Sequence, residues 1–415
     1  MKRLLWIVAV IVVVGAAVSA LAFSRSVPHR PDVTATPEMV QRGEALVRAG
    51  DCISCHTVPG QPAYAGGREF DLGSMGKLYS PNITPDRETG IGAWSDDDFR
   101  AAMQLGVAKG GVHLYPAFPY ASFTLLSDDD VLAIKAYLFS LKPVHSIPPQ
   151  DAMVFPYNQR WLMAYWGWLF DSNKRLASDP QQSADWNRGR YLVEALGHCQ
   201  ECHTPRNFLQ GLKRSEAYAG AVQQKWKAYD ISSDKESGIG NWTDEALEAY
   251  LATGFAPDHG PAGGPMAEAI SNSLHYLPTQ DIHAMVVYLR TVKPVASAVP
   301  TRAAATAGGH DAQLALGRQV YARECANCHR RNGEGTQSPD EALKGDDTVA
   351  DPQAINLTQV VLYGSTLDTA NGRVNMLGFG RGLTNAEVAA VVNYTGQTLA
   401  GHSADLTPEE VAARR

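Results

Sequence analysis

Apolar residues recur at the spacing of an amphipathic helix along much of the chain, and three of these segments open alike. The openings lie at residues 42–47, 188–193 and 316–321, and each contains a glycine followed by a basic or acidic residue. Each opening leads within a few residues into the pattern Cys-x-x-Cys-His. This recurrence predicts a threefold internal repeat in which every copy begins with a helix.

Each copy also closes on a segment with helical spacing, at residues 127–141, 279–292 and 384–398. Residues that favour helix N-termini precede these segments, and Thr384 with Glu387 forms a capping-box pattern. Few segments alternate apolar and polar residues as half-buried strands do. The sequence therefore predicts an all-α fold.

The repeat divides the chain into three tandem domains, which follow an N-terminal apolar segment and are separated by two linkers. The second linker is rich in Ala, Gly and Thr, which is typical of a flexible connector. The predicted ranges are 1–24 for the apolar segment, 35–145, 185–296 and 311–402 for the domains, and 146–184 and 297–310 for the linkers.

The first linker contains a run of aromatic and apolar residues at 160–170. One interpretation is a buried strap that packs two domains together. The other is a surface that meets a membrane interface or a partner protein, since Trp and Tyr favour both locations.

The N-terminal apolar run spans residues 4–23 and is long enough to cross a membrane as a helix. It fits a retained anchor, and it also fits a signal peptide that is cleaved after residues 20–22, which resemble an A-x-A site. Either interpretation exports the rest of the chain. Lys2 and Arg3 would stay in the cytoplasm by the positive-inside rule.

A formal net charge of −7 over 415 residues offers no basic surface for nucleic acid. The six cysteines are more informative, because they form three pairs of identical spacing and leave no odd thiol.

The pattern Cys-x-x-Cys-His is typical of covalent haem c attachment. Two cysteines one helical turn apart can each join a haem vinyl group, and the histidine that follows can ligate the iron. A zinc site would need two such pairs close together, and a redox dithiol would sit in a βαβ pattern, which is absent. We therefore expect three haem c groups, attached through Cys52 and Cys55, Cys199 and Cys202, and Cys325 and Cys328, with His56, His203 and His329 as iron ligands.

The sixth iron ligand in small c-type domains is often a methionine before the closing helix, which raises the haem potential. Met266 and Met376 occupy such positions for the second and third haems. The matching loop of the first copy has no methionine. We expect Met103 to be the sixth ligand of the first haem, with Met75 and His113 as alternatives. If all three residues serve only packing, the first haem is five-coordinate.

Several longer motifs resemble one known family, the tri-haem cytochrome c subunits of bacterial membrane-bound dehydrogenases. The motifs are at residues 79–86, 90–94, 113–117 and 202–207 and around Met376, and the resemblance extends over residues 41–397. It implies three class-I cytochrome c-like domains that conduct electrons and perform no substrate chemistry. The implied partners are a catalytic dehydrogenase subunit of molybdenum, PQQ or FAD type, and ubiquinone or a terminal oxidase. The implied location is the inner membrane, with the haem domains in the periplasm.

Two positions depart from the family pattern. Phe118 stands where many alcohol dehydrogenase subunits have methionine. A phenylalanine at this position resembles the cytochromes that accompany molybdenum hydroxylases. Leu377 follows Met376 where the family usually has proline. The competing functions are a freestanding multihaem carrier and a haem peroxidase that uses an open first haem.

Overall fold

The computed structural model describes residues 2–297, 310–370 and 372–415, which form two compact units. The first unit comprises the described residues of Met1–Glu201 together with Arg206–Lys213, and the second comprises Cys202–Pro205 and the described residues of Arg214–Arg415. The predicted linker 297–310 lies largely outside the described residues, so it stays a prediction.

Helices dominate the first unit, and their start signals are local. Thr36 and Ser127 accept hydrogen bonds from backbone N–H groups three residues ahead, as N-cap side chains do. The helices are α1 (Lys2–Phe23), α2 (Pro37–Ala49), α3 (Cys52–His56), α4 (Asp96–Leu105), α5 (Tyr120–Phe123), α6 (Asp128–Ser140), α7 (Leu162–Phe170) and α8 (Ala184–Arg190), followed by a π-helical turn at Tyr191–Leu196.

The opening helix α2 packs closely against the closing helix α6. Gly43 permits this approach, because a Cβ atom at residue 43 would lie only 1.9 Å from the carbonyl oxygen of Ala133. The glycine of the predicted opening motif therefore serves helix packing.

Helix α1 is apolar beyond Lys2 and Arg3 apart from Ser19, is almost entirely exposed in the structure, and is long enough to cross a membrane. Its last turns contact α7, the helix formed by the aromatic run. Ala164 and Gly167 of α7 are buried while Trp168 and Leu169 are exposed, so this segment is only partly a buried strap.

The boundary between the units falls within α9 (Gln200–His203), whose last two residues, Cys202 and His203, belong to the second unit. Its further helices are α10 (Asp244–Thr253), α11 (Gly264–Asn272), α12 (Thr279–Leu289), α13 (His310–Val320), α14 (Ala326–His329), α15 (Asp347–Ala350), α16 (Ile355–Tyr363), α17 (Asn385–Thr395) and α18 (Pro408–Arg414).

Helices α13 and α17 repeat the close packing seen between α2 and α6. A Cβ atom at Gly317 would lie 2.1 Å from the carbonyl oxygen of Ala390. Around this pair, one buried apolar cluster is drawn entirely from residues 320–411.

Short strands accompany the predicted helices. The first unit contains a three-stranded sheet in the order β1-β2-β5, and each remaining pair forms an antiparallel hairpin. The strands are β1 (Glu69–Asp71), β2 (Gly76–Tyr79), β3 (Val107–Ala108), β4 (Val112–His113), β5 (Ala152–Met153), β6 (Ala221–Gln223), β7 (Trp226–Ala228), β8 (Phe255–Ala256), β9 (Gly260–Pro261), β10 (Gly364–Thr369) and β11 (Gly372–Leu377). The chain is mostly helical, with hairpins in the loops between helices.

Candidate haem-attachment sites

Each Cys-x-x-Cys-His motif runs along a short helical turn. Helix α3 contains the whole first motif, and α9 and α14 contain the second cysteine and the histidine of the other two. The chain enters the first two motifs through residues with positive φ, Asp51 at 51° and His198 at 41°. One helical turn brings the two sulfur atoms of a motif to the same face, as attachment to a single porphyrin requires.

Each of the three histidines makes the same kind of hydrogen bond, from Nδ1 to a backbone carbonyl. Nδ1 of His56 lies 2.8 Å from the carbonyl oxygen of Pro81, and Nδ1 of His203 lies 2.6 Å from that of Tyr229. Nδ1 of His329 lies 2.7 Å from the carbonyl oxygen of a residue in the following loop, Glu341. A carbonyl can only accept, so each Nδ1 carries a proton, and in the neutral ring this leaves Nε2 with its lone pair.

Burial favours the neutral form of two of these rings. It lowers the pKa of His56 and of His203 below the ordinary value for histidine, because a charged imidazolium would lose its hydration. A neutral imidazole with Nδ1 bonded to a carbonyl and Nε2 available is the form that binds haem iron.

The thiols do not resemble a redox pair. Burial raises the pKa of Cys52 to about 12 and that of Cys325 to about 11, whereas redox-active thiols have lowered pKa values. The six cysteines, all within the described residues, form no disulfide with one another. Among residues 2–297, 310–370 and 372–415, no cluster of His, Cys, Asp and Glu side chains forms another metal site. The donor set therefore fits haem c.

The first two copies also match in the loop after the short helix. The amide of Leu114 donates to the carbonyl of Gly106 at 2.7 Å, and the amide of Ala262 donates to that of Gly254 at 2.7 Å. Both glycines end a helix in the left-handed region, where they are favoured. The two hairpins, β3–β4 and β8–β9, therefore have the same register.

Met266 and Met376 are both partly buried, but they lie in different elements. Met266 lies in the first turn of α11. Met376, which the sequence placed in a loop, lies in β11 opposite Ser365. Met285 is 1% exposed in α12, so it is a core residue.

Comparison with known proteins identifies the family. A family model described as Cytochrome c matches residues 40–142 and 314–398. The gluconate 2-dehydrogenase cytochrome c subunit of Pantoea cypripedii is 36% identical over 92% of this chain and 91% of the relative. The chain belongs to the cytochrome c subunits of dehydrogenases.

Two further relatives come from other dehydrogenases. The fructose dehydrogenase cytochrome subunit of Gluconobacter japonicus is 36% identical over 88% of this chain and 79% of the relative. A nicotinate dehydrogenase subunit of Pseudomonas putida is 40% identical over 92% of this chain, which spans only 33% of that longer protein. The cytochrome thus carries haem c and transfers electrons as a subunit of a dehydrogenase complex.

The three residues predicted as candidate sixth ligands in the first copy lie in different elements of the cytochrome. Met103 is 6% exposed in α4, and the register places it where the second copy has Leu251, also a buried residue. Met75 ends a 3-10 turn before β2. His113 lies in β4 with its ring 5.6 Å from that of Phe23, edge to face.

Sequence reasoning missed two features of these sites. The carbonyl groups that orient the histidines belong to residues of three types, so no residue pattern marks them. The second feature is a row of rings, in which Phe123 lies 5.5 Å from Phe118 and 5.5 Å from His198, the residue before Cys199. Two phenylalanines in 118–123 were the available signal, since aromatic residues spaced closely in a short loop often pack together.

Proposed function

We propose that this cytochrome carries three haem c groups and passes electrons from a periplasmic dehydrogenase to ubiquinone or a terminal oxidase. The observation that supports it best is the hydrogen bond from Nδ1 to a backbone carbonyl, which recurs at His56, His203 and His329. Haem supplies a one-electron iron couple, and the protein contributes ligands, orientation and burial.

The six cysteines attach the haems in pairs. Each thiol adds across a porphyrin vinyl group, so that a carbon–sulfur bond forms and the thiol hydrogen passes to the other vinyl carbon. The step consumes no oxidant and leaves no free thiol. The pairs are Cys52 with Cys55, Cys199 with Cys202, and Cys325 with Cys328.

The sixth ligands differ between the copies. We assign Met266 to the second haem and Met376 to the third, and both side chains are only partly buried, as a side chain facing a haem would be before the haem is added. For the first haem we propose Met103. The alternative is a packing role, which is the role of the buried Leu251 at the matching position of the second copy, and the Met103→Leu variant distinguishes the two.

The three-domain division rests on how helices pack on the closing helix of each copy. The opening helices α2 and α13 pack alike on α6 and α17, and in the middle copy the short helix α10 packs on the closing helix α12, as α4 packs on α6. The cluster within residues 320–411 gives the third copy its own core. We therefore keep 35–145, 185–296 and 311–402 as the cytochrome c domains.

Contacts at the end of α1 support a retained anchor. The hydroxyl of Ser19 lies 2.8 Å from that of Tyr165, and Ala22 is 2% exposed. Cleavage after Ala22 would remove both residues from their packed positions. With Lys2 and Arg3 in the cytoplasm, the domains face the periplasm from the inner membrane.

One observation favours a second candidate function. Phe118 cannot ligate iron, and a first haem with an open position could react with peroxide. Peroxide-dependent oxidation of a reduced cytochrome by the purified protein would support a peroxidase, and an inert first haem would exclude it.

The main proposal is tested by purifying the tagged full chain from its host membranes in mild detergent. We expect a large catalytic subunit with a molybdenum, PQQ or FAD cofactor to co-purify, and the denatured chain to retain the mass of three haems. A chain that carries three haems but recovers no partner would favour a freestanding carrier. A smaller haem mass would contradict the count of three.

A further inference from the structure

Exposed aromatic and apolar side chains lie on α7, which contacts the last turns of α1, and in other segments of the first unit. We call this surface the aromatic collar, and it is built from α7 and from loops of the same unit. Its exposed side chains are Phe155 (78% exposed), Trp161 (51%), Trp168 (38%), Leu169 (55%) and Phe208 (89%). Single exposed apolar residues are ordinary on a protein surface, but neighbouring ones of this size indicate an interaction site.

Hydrogen bonds and ring contacts hold these segments together. The indole Nε1 of Trp166 donates to the carbonyl of Leu209 at 2.8 Å, which joins α7 to the loop that contains Phe208. The rings of Trp161 and Tyr165 lie 6.1 Å apart, edge to face. The aromatic collar is therefore a packed surface of the first unit.

The aromatic collar is continuous with α1. The ring of Tyr165 lies 5.6 Å from that of Phe23, in the last turn of α1, and its hydroxyl bonds to Ser19. Just beyond α1, Arg25 forms an ion pair with the buried carboxylate of Asp171, which follows α7. Gly167 leaves room for it, because a Cβ atom there would lie 2.8 Å from Nη1 of Arg25.

The charges at the edge of the aromatic collar are neutralised within the protein. Arg25 pairs with Asp171, and Arg160 pairs with Asp151. Helix α7 itself contains no charged residue. Little electrostatic cost therefore opposes transfer of this surface from water into a less polar medium.

The neighbouring transmembrane helix decides which medium this is. A helix that crosses a bilayer places the residues at its end in the headgroup region, and Trp and Tyr are enriched there because their rings are apolar with one polar group. We propose that the aromatic collar lies in the headgroup region of the membrane that α1 spans. The proposal rests on the proposed retention of α1, and it places the first unit directly on the bilayer.

Site-specific labelling of the full chain tests the depth of the aromatic collar. Leu169→Cys receives an environment-sensitive fluorophore on its thiol, and the protein is reconstituted in phosphatidylcholine–phosphatidylglycerol vesicles. Glu88→Cys, an exposed loop residue of the same unit with 82% side-chain exposure, is the matched aqueous control. Quenching is compared between iodide in water and lipids with a nitroxide near the headgroup.

We expect the label at residue 169 to be quenched several-fold more by the nitroxide lipid than by iodide, and the label at residue 88 to show the reverse. Iodide quenching at 169 equal to that at 88 would overturn the proposal. So would protection from both quenchers, which would mean that a protein covers the aromatic collar.

The unsubstituted chain separates this result from the haem proposal. If all six cysteines hold haem, the chain without an added cysteine takes up no fluorophore. Labelling of that chain would contradict the count of three haems. In that case the native cysteines that take up the fluorophore are replaced by alanine, so the depth at residue 169 is still measured.

Discussion

Phe118 in the first copy occupies the position of Met266 in the second. Each lies four residues after the residue whose amide donates an equivalent backbone hydrogen bond. The bonds join Leu114 to Gly106 and Ala262 to Gly254, at 2.7 Å in both copies. A phenyl ring has no lone pair for iron, so the first haem cannot take its sixth ligand from this position. The copies share a backbone arrangement here, but only the second has a side chain at this position that can ligate iron.

Replacing Met266 or Met376 by alanine should change one haem at a time. Loss of the thioether removes a strong-field ligand, so the affected haem should become high-spin. Its reduction potential should decrease, and axial ligands can change this potential over a range of roughly 0.8 V. Absorption spectra and a redox titration measure both effects.

Met285→Ala is the matched control for these variants. Met285 is 1% exposed in α12, so its truncation should cost about 2–5 kcal/mol of unfolding free energy. All three haem spectra should remain unchanged. A low-spin spectrum retained in Met266→Ala or Met376→Ala would refute that ligand assignment.

Met103→Leu tests the first haem. If the sulfur of Met103 binds iron, as we propose, one haem should become high-spin although the fold is retained, because leucine fills a similar volume. Phe118→Met added to this variant should restore low-spin iron, since it supplies a thioether where Met266 does. An unchanged spectrum in Met103→Leu would assign the residue to packing, like Leu251.

Asp346→Asn should change how stability depends on pH. Burial raises the pKa of Asp346 from 3.8 to about 7, and the neighbouring Asp347 adds to the shift. Between these values the folded protein holds a proton that the unfolded chain releases, so this group lowers stability as pH rises from about 4 to 7. Asparagine should remove that decline and still cap α15, where Asp346 accepts from the amide of Thr348.

Urea unfolding followed by circular dichroism between pH 4 and pH 8 measures this effect. Asp347→Asn serves as a comparison. Burial raises the pKa of Asp347 as well, although the hydrogen bond and charge of His259 oppose this increase. An equal slope against pH in the parent and in Asp346→Asn would show that the carboxyl group does not titrate in this range.

Gly317→Ala should destabilise the third copy. The new methyl carbon would lie 2.1 Å from the carbonyl oxygen of Ala390, so α13 and α17 must separate. Overpacking of this kind costs typically about 1–3 kcal/mol, which exceeds the gain in helix propensity from alanine. Gly382→Ala is the control, because its nearest neighbour would be 3.8 Å away. Equal denaturation midpoints for the two variants would contradict the close contact.

Local signals allowed the closing helices to be predicted from the sequence. The capping box of Thr384 and Glu387 is present, and α17 begins at the next residue, Asn385. The hairpin that contains Met376 was missed, although Asn371 followed by Gly372 is a sequence typical of hairpin turns. The helical expectation for the repeat hid that signal.

Long-range contacts explain what the sequence could not provide. The pairing of His329 with the carbonyl of Glu341 depends on how a loop folds back, and any residue has a carbonyl. The packing of α1 on α7 joins segments far apart in the chain, through Ser19 with Tyr165 and Arg25 with Asp171. Neither relationship leaves a periodic pattern.

The acceptors of the three histidine protons are main-chain atoms of Pro81, Tyr229 and Glu341. A side-chain substitution at any of these positions leaves the carbonyl oxygen in place, so no single codon change can delete the bond directly. The carboxylate of Glu341 also accepts from the amides of Thr336 and Gln337, so its side chain holds the same loop whose carbonyl orients His329. The orientation of each imidazole is therefore inherited from the backbone.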